Sequence, residues 1–191
     1  MQAKATTKKN AKGGHTSEKS RPIPAAQPRD RWLLEWSIGL GLALAAFLLY
    51  AGTLRHGYVL DDYSLIKENT VTTQGIHALP RIFRTAYRDG NFNDGVYRPL
   101  SKAMFAVEWE LAPDKPALGH FINVLIYSLT GTLLFFTLTR YLPGNLLVPF
   151  LTTALFLAHP IHTEVVANIK GRDELMCFFF LLIACWRCED R

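Results

Sequence analysis

Four apolar runs divide this 191-residue chain, and they predict its architecture. We predict membrane spans at residues 33–53, 121–139, 146–161 and 175–186. A helix needs roughly 20 apolar residues to cross a hydrocarbon core of about 30 Å, and the first run has this length. The third run is shorter but is sufficient if it is tilted or enclosed by neighbours. The pattern predicts an all-α integral membrane protein, a multi-span helical bundle.

The fourth run has only about a dozen apolar residues before charged residues stop it at 187–191. This length is too short to span comfortably. We therefore expect the chain to end inside or just after a span, as a truncated product would.

The first 31 residues differ in composition from the rest of the chain. They carry eight Lys or Arg against two acidic residues, and they are nearly free of apolar side chains. Such a segment cannot bury enough surface to offset its ordering entropy, so we predict a disordered tail at 1–31 and a membrane domain at 32–191. The chain's net charge of +5 comes from this tail, so it indicates membrane lipid and not nucleic acid as a partner.

A basic segment beside a span favours the cytoplasmic side, so we place the N-terminus there. The membrane is then a bacterial inner membrane or that of the endoplasmic reticulum. Alternation of the spans puts the loops 54–120 and 159–174 outside, in one compartment.

Apolar spacing in the first loop predicts a short interfacial helix at 76–83 that ends near Asp89-Gly90. It also predicts a turn at 91–95 and an amphipathic helix at 101–109.

Two adjacent carboxylates, Asp61 and Asp62, follow the first span. Charge at a membrane boundary is costly and usually functional. The pair could act as a general base, bind a cation or hydrogen-bond a sugar. The residues alone leave open that the pair only solvates the start of a loop.

Two further polar motifs carry candidate chemistry. In Tyr97-Arg-Pro-Leu-Ser101, the planar guanidinium of Arg98 could pair with phosphate, or the side chain could simply extend to the interface.

The motif His159-Pro-Ile-His-Thr-Glu164, with Lys170-Gly-Arg-Asp-Glu174 after it, resembles the spacing of metal ligands. Pro160 makes a helix begin there, which points His162 and Glu164 in different directions, so we assign no metal. The pair Cys185 and Cys188 has redox or metal spacing that we interpret as incidental.

Taken together, four motifs in this order resemble one family. They are Leu60-Asp-Asp-Tyr63 with Asn69, Tyr97-Arg-Pro-Leu100, Gly119-His-Phe-Ile-Asn123, and His159-Pro-Ile-His-Thr-Glu164 followed by Gly171-Arg172. The stretch from Trp32 to Trp186 resembles the N-terminal part of the transmembrane, tetratricopeptide-repeat O-mannosyltransferase-like proteins of the GT-C glycosyltransferase class. The sequence departs from that family in showing no such repeats.

The resemblance implies a GT-C-like bundle whose first extracytoplasmic loop holds an acidic motif, matched here by Asp61 and Asp62. It implies a polyprenyl-phosphate sugar as donor and co-substrate, a protein Ser or Thr hydroxyl as acceptor, and no cofactor. One carboxylate of the pair is then expected to be the catalytic base. The residues expected to bind the donor phosphate and sugar are Arg98, His159, His162, Glu164, Lys170 and Arg172.

Two other functions stay open. A non-catalytic, membrane-anchored scaffold or assembly protein would tolerate alanine at both aspartates. An inactive fragment would insert into the membrane without transferring sugar, and the short fourth run favours that outcome. The resemblance implies an enzyme, a hexosyltransferase, but leaves open whether this chain alone is complete enough to act.

Overall fold

A computed structural model describes residues 28–88 and 95–188, and the regular elements in this part of the chain are all helical. The all-α prediction is therefore confirmed for the described residues. The α-helices in these ranges are α1 (Pro28–Tyr50), α2 (Leu79–Ile82), α3 (Pro99–Leu111), α4 (Pro116–Tyr141), α5 (Leu147–Ala158), α6 (His162–Ala167) and α7 (Arg172–Cys188).

Two stretches within the described ranges are long and apolar enough to cross a membrane. They run over residues 30–55 and 116–141, and each has a mean hydropathy of 1.8. They correspond to the first two predicted spans, extended by a few residues at their ends. Helix α5 has 12 residues, or about 18 Å, and α7 has 17 residues and begins with three charged ones. The third and fourth spans, and with them the multi-span GT-C bundle, stay predictions.

The first helix begins earlier than the sequence indicated. It starts at Pro28, inside the segment that we assigned to the disordered tail. Arg31 and Glu35 lie four residues apart on this first part of the helix, and Arg31 Nε donates to Glu35 at 2.9 Å, a spacing that supports helix. The prediction for residues 1–27 lies outside the described residues.

Helix α4 is the central helix of the described part. Helices α1, α5 and α7 all pack against it. Tyr50 of α1 meets Tyr127 of α4 edge to face, with ring centroids 5.2 Å apart. The glycine at 131 lets Leu157 of α5 approach closely, because a Cβ there would lie 2.6 Å from the leucine side chain. The buried core comprises Leu42, Ala46, Tyr50, Val124, Tyr127, Phe135, Leu157, Val166 and Leu175.

The loop between the two candidate spans folds into a second, smaller layer. The helix predicted at 76–83 is instead a 3₁₀ segment, Thr72–Ala78, followed by the single turn α2. Gly75, with φ of +66°, interrupts the regular helix at this point. The end predicted at Asp89-Gly90 lies outside the described residues, as does most of the turn at 91–95. The second predicted helix is confirmed as α3, and it covers residues 101–109 fully.

Candidate functional site

A tight turn aims the two aspartates in different directions. Asp62 N donates to Val59 O at 2.9 Å, and Val59 N donates to the Asp62 carboxylate at 3.1 Å. Leu60 closes the turn in the left-handed region, with φ of +45°. This conformation costs a non-glycine residue about 1–2 kcal/mol. The turn leaves the Asp61 side chain 42% exposed and buries Asp62 completely.

Asp62 joins the first loop to the segment 159–174. Its Oδ1 accepts from Lys170 N at 2.8 Å, across 108 positions of sequence, while Oδ2 accepts from Val59 N. Burial raises the pKa of Asp62, and the two backbone N–H groups offset part of that rise. Both carboxylate oxygens of Asp62 therefore bind protein donors, and the two charged segments meet directly.

We call the contact of Asp62 with the backbone of Lys170 the joint between the two loops. Asp61 lies beside this joint, between two cations. Its Oδ2 is 3.0 Å from an Arg88 Nη atom and 3.4 Å from Lys170 Nζ. The three side chains are each between about one quarter and two fifths exposed, so the cluster opens to solvent. We call Asp61, Arg88 and Lys170 the surface cluster. Lys170 contacts both aspartates, one through its backbone and the other through its ammonium group.

Local packing fixes the position of Lys170. Asn168 accepts from Lys170 N at 3.2 Å and so caps the 3₁₀ turn Ile169–Gly171. Asn123 of α4 donates to Asn168 O at 2.8 Å. At Gly171 a Cβ would lie 2.3 Å from the Val165 carbonyl oxygen, so a side chain there would displace backbone. The turn that carries Lys170 therefore requires glycine at 171.

Arg172 lies fully inside the protein. Its Nε donates to Asn123 Oδ1 at 2.9 Å, its Nη2 donates to Gly119 O at 3.0 Å, and both Nη atoms bind the Glu108 carboxylate. The guanidinium also lies over the Phe105 ring, 4.8 Å from its centroid. Burial raises the pKa of Glu108, and Arg172 offsets part of that rise. We call Arg172, Glu108 and Asn123 the buried clamp, because they join α3, α4 and α7.

Arg98 pairs with Asp173, the second residue of α7. Its guanidinium also lies 5.6 Å from the centre of the Tyr87 ring, and its side chain is 42% exposed. Burial raises the pKa of Tyr87 to about 12, so its phenol stays neutral at physiological pH. Arg98 is therefore a partly open cation on the same joint between the two loops.

The remaining predicted residues lie directly after α5 and in the first turn of α6. His159 is exposed, and its Nδ1 accepts from Ile161 N at 3.3 Å. His162 packs against Phe156, with ring centroids 4.3 Å apart, and burial lowers the pKa of its imidazole. Glu164 is exposed to solvent. Across the described ranges, no three His, Cys, Asp or Glu side chains are arranged to hold a metal ion.

Sequence reasoning assigned no role to Arg88, Glu108 or Asn123, although each contributes to the joint. Arg88 stands outside every motif, so the sequence carries no signal for it. Glu108 had a weak signal, since it is an acidic residue on the predicted amphipathic helix at 101–109. Asn123 had a stronger signal, because a polar amide near the start of an apolar span needs partners.

The sequence is similar to curated proteins from several animals. It is 33% identical over 164 residues to mouse "Protein O-mannosyl-transferase TMTC1", covering 83% of this chain and 17% of the relative. It is 33% identical over 173 residues to Drosophila melanogaster "Protein O-mannosyl-transferase Tmtc1", covering 88% of this chain and 20% of the relative. It is 32% identical over 163 residues to human "Protein O-mannosyl-transferase TMTC2", and the match covers 81% of this chain and 19% of the relative.

The matched region is most of this chain but a small part of each relative. The chain spans about a fifth of the length of the curated relatives that it matches. No protein-family model and no solved structure matches it. Over most of its length the chain is therefore similar to one part of these O-mannosyl-transferases, the family that its motifs resemble.

Proposed function

We propose that this chain carries a glycosyltransferase site, O-mannosyltransferase-like, at the extracytoplasmic membrane face, and supplies its acid–base and phosphate-binding groups. The donor would be a polyprenyl-phosphate sugar and the acceptor a protein Ser or Thr hydroxyl. The names of the relatives support the reaction class. The observation that carries the proposal is the Asp61 carboxylate, which is open to solvent between two cations. Asp62 holds the backbone of Lys170, one of these two cations.

Asp61 is the better general base of the pair because it can reach a substrate. A base must come within hydrogen-bond distance of the proton that it removes, and geometry is tested before pKa. Both oxygens of Asp62 accept from backbone N–H groups and the residue has no exposed surface. Its raised pKa would suit a base, but its position does not. In the proposal Asp62 is a positioning residue that fixes Asp61 against Lys170.

The reaction would be a single displacement at the anomeric carbon. The acceptor oxygen forms a bond to that carbon as its proton passes to Asp61. The bond from the carbon to the phosphate oxygen breaks, and the phosphate leaves with the electron pair. Base catalysis of this kind contributes about 10²–10⁴-fold in rate.

The leaving phosphate gains negative charge, which fixed cations would stabilise. Lys170 and Arg98 are partly exposed and fit this role, because each is held by an ion pair that a phosphate can replace. Arg172 is not proposed to touch the donor, since its guanidinium is buried and bound to protein acceptors. His159, His162 and Glu164 are proposed as contacts for sugar hydroxyls.

The test is sugar transfer by membranes that contain the chain. Polyprenyl-phosphate mannose with a radiolabelled sugar is supplied with a Ser/Thr-rich peptide, and transfer is compared between the wild type and Asp61→Asn. We expect the rate to fall by about 10²–10⁴-fold. The matched control is Glu68→Gln, an exposed carboxylate in the same loop that should leave transfer unchanged.

Two results would contradict the proposal for this chain. One is transfer no greater than that of membranes without the chain. The other is equal transfer by the wild type and Asp61→Asn, which is the tolerance that a non-catalytic scaffold predicts.

A further inference from the structure

Helix α3 has an apolar face that the described residues cover only in part. Leu100, Met104, Val107 and Leu111 follow one another at spacings of four, three and four residues, so they form one stripe along the helix. Leu100 is 48% and Leu111 is 71% exposed. We call these four residues the α3 stripe.

The opposite side of α3 holds it to the rest of the molecule. Ala103 and Ala106 pack against Val71 and Ile82 of the preceding segment, while Phe105 belongs to a separate buried group. Glu108 binds Arg172. The helix is therefore fixed on one side, and its exposed stripe is not the result of a detached element.

The α3 stripe lines a groove of about 380 Å³ between α2, α3 and α4. Among the nine described residues that line it, Glu108 is the one that carries a charge. The groove ends at Ile122 of α4, the helix that is one of the two candidate spans in the described ranges. Ile122 lies six residues from the start of α4, or about 9 Å along its axis. Its neighbours Phe121 and Leu125 are each about two fifths exposed, as expected for the lipid-facing side of a span.

We propose that the α3 stripe lies in the membrane interface and that the acyl chains of bilayer lipids fill this groove. The groove is continuous with the outward face of α4 at Ile122, about 9 Å along that helix, and interfacial helices bury their apolar side to about 5–10 Å. Arg81 and Arg84, both exposed, flank Phe83 at the edge of the groove. Cations at that edge match the phosphate layer of the bilayer. The occupant is therefore lipid, and α3 lies between the bilayer on one side and the buried clamp on the other.

Site-directed spin labelling of the whole chain in phosphatidylcholine vesicles tests the proposal. The native cysteines Cys177, Cys185 and Cys188 are first replaced by serine, and single cysteines are then introduced as Leu100→Cys, Met104→Cys or Leu111→Cys. Collision of the label with oxygen, which concentrates in lipid, is compared with collision with a water-soluble nickel chelate. Circular dichroism confirms that each labelled chain keeps its helix content, and the three positions are independent of one another.

Three reference positions calibrate the ratio of the two collision rates. Leu129→Cys lies on the exposed face of α4, Glu68→Cys lies on the polar surface of the loop, and Val124→Cys lies in the buried core. We expect labels on the α3 stripe to favour oxygen, with a ratio between those at 129 and 68.

A ratio equal to that at 68 would overturn the proposal, because the stripe would then face water. Low collision rates with both reagents, as at 124, would also overturn it, because another protein surface would then cover the stripe. Neither outcome depends on sugar transfer, so this proposal and the proposed function can fail separately.

Discussion

Two ion pairs have their cations two residues apart in the chain, at 170 and 172, and they differ mainly in burial. Lys170 contacts Asp61 at the surface, while Arg172 binds Glu108 inside the protein. The surface pair keeps a large part of its hydration, and such pairs contribute about 0–1 kcal/mol to stability. The buried pair has lost its water and depends on complete hydrogen bonding. A cation that binds its partner weakly can exchange it for a phosphate, whereas a cation in the buried clamp cannot do so without disrupting the fold.

The largest expected effect is at Arg172. Arg172→Ala leaves the Glu108 carboxylate buried without its partner, which should lower the free energy of unfolding by about 3–5 kcal/mol. Unfolding by sodium dodecyl sulfate in mixed micelles, followed by circular dichroism, measures the change. The double variant Arg172→Met with Glu108→Leu should recover most of the loss, since no buried charge remains. A loss below about 1 kcal/mol for Arg172→Ala would contradict this prediction, because the pair would then contribute no more to stability than an exposed ion pair does.

Gly171 tests whether the turn between the two cations is as tightly packed as the geometry indicates. The methyl group of Gly171→Ala would meet the Val165 carbonyl oxygen, so the backbone must shift at a cost of about 1–3 kcal/mol. Gly41 is a matched control, because a Cβ there meets no atom of the described residues within 4 Å. Gly41→Ala should therefore not destabilise the protein in the same unfolding assay. Equal effects of the two substitutions would contradict the tight approach at 171.

Asp62 should affect stability more than Asp61 does. Asp62→Asn presents an amide N–H to one of two backbone donors, so one hydrogen bond is lost at a cost of about 1–3 kcal/mol. Asp61→Asn alters an exposed pair and should cost about 0–1 kcal/mol. The order of the two unfolding midpoints at pH 7 checks this difference. A larger stability loss at Asp61 would reverse the assignment of the positioning residue.

The pH dependence of stability gives a smaller effect with a defined sign. Burial raises the pKa of Asp62 in the folded state above its unfolded value of about 4. The protonated Asp62 carboxyl therefore contributes stability that is complete below about pH 4 and is lost as the pH rises through the folded pKa. The unfolding free energy of the wild type, relative to Asp62→Asn, should fall as the pH rises from 4. A difference that grows with pH would mean that the folded pKa is lowered instead.

The hydrophobic pattern predicted the long helices well, because apolar length alone identifies a candidate span. Helices α1 and α4 were found this way, whereas the loop helix α3 was found from its amphipathic spacing. The segment at 76–83 was predicted as one helix, because apolar spacing does not show that Gly75 adopts a positive φ.

The site was only partly predictable. Asp61 and Asp62 looked equivalent in sequence, and only the turn at Val59–Asp62 shows that one is exposed and the other buried. Arg172 and Lys170 looked equivalent for the same reason, since two cations two residues apart carry no mark of burial. The meeting of residues 61–62 with residue 170 was expected from alternation of the spans. The partner Arg88 depends on tertiary packing that no local pattern reports.

Position 170 contacts the two aspartates by different means, and this has a consequence for how the site can change. The contact with Asp62 uses a backbone N–H, which every residue except proline provides. The contact with Asp61 uses an ammonium group, which among the natural residues is specific to lysine. A substitution at 170 can therefore alter the charge that a substrate meets while the support beneath it is preserved. At this single residue, the side chain sets the charge at the surface and the backbone maintains the contact between the two loops, so the first can change without the second.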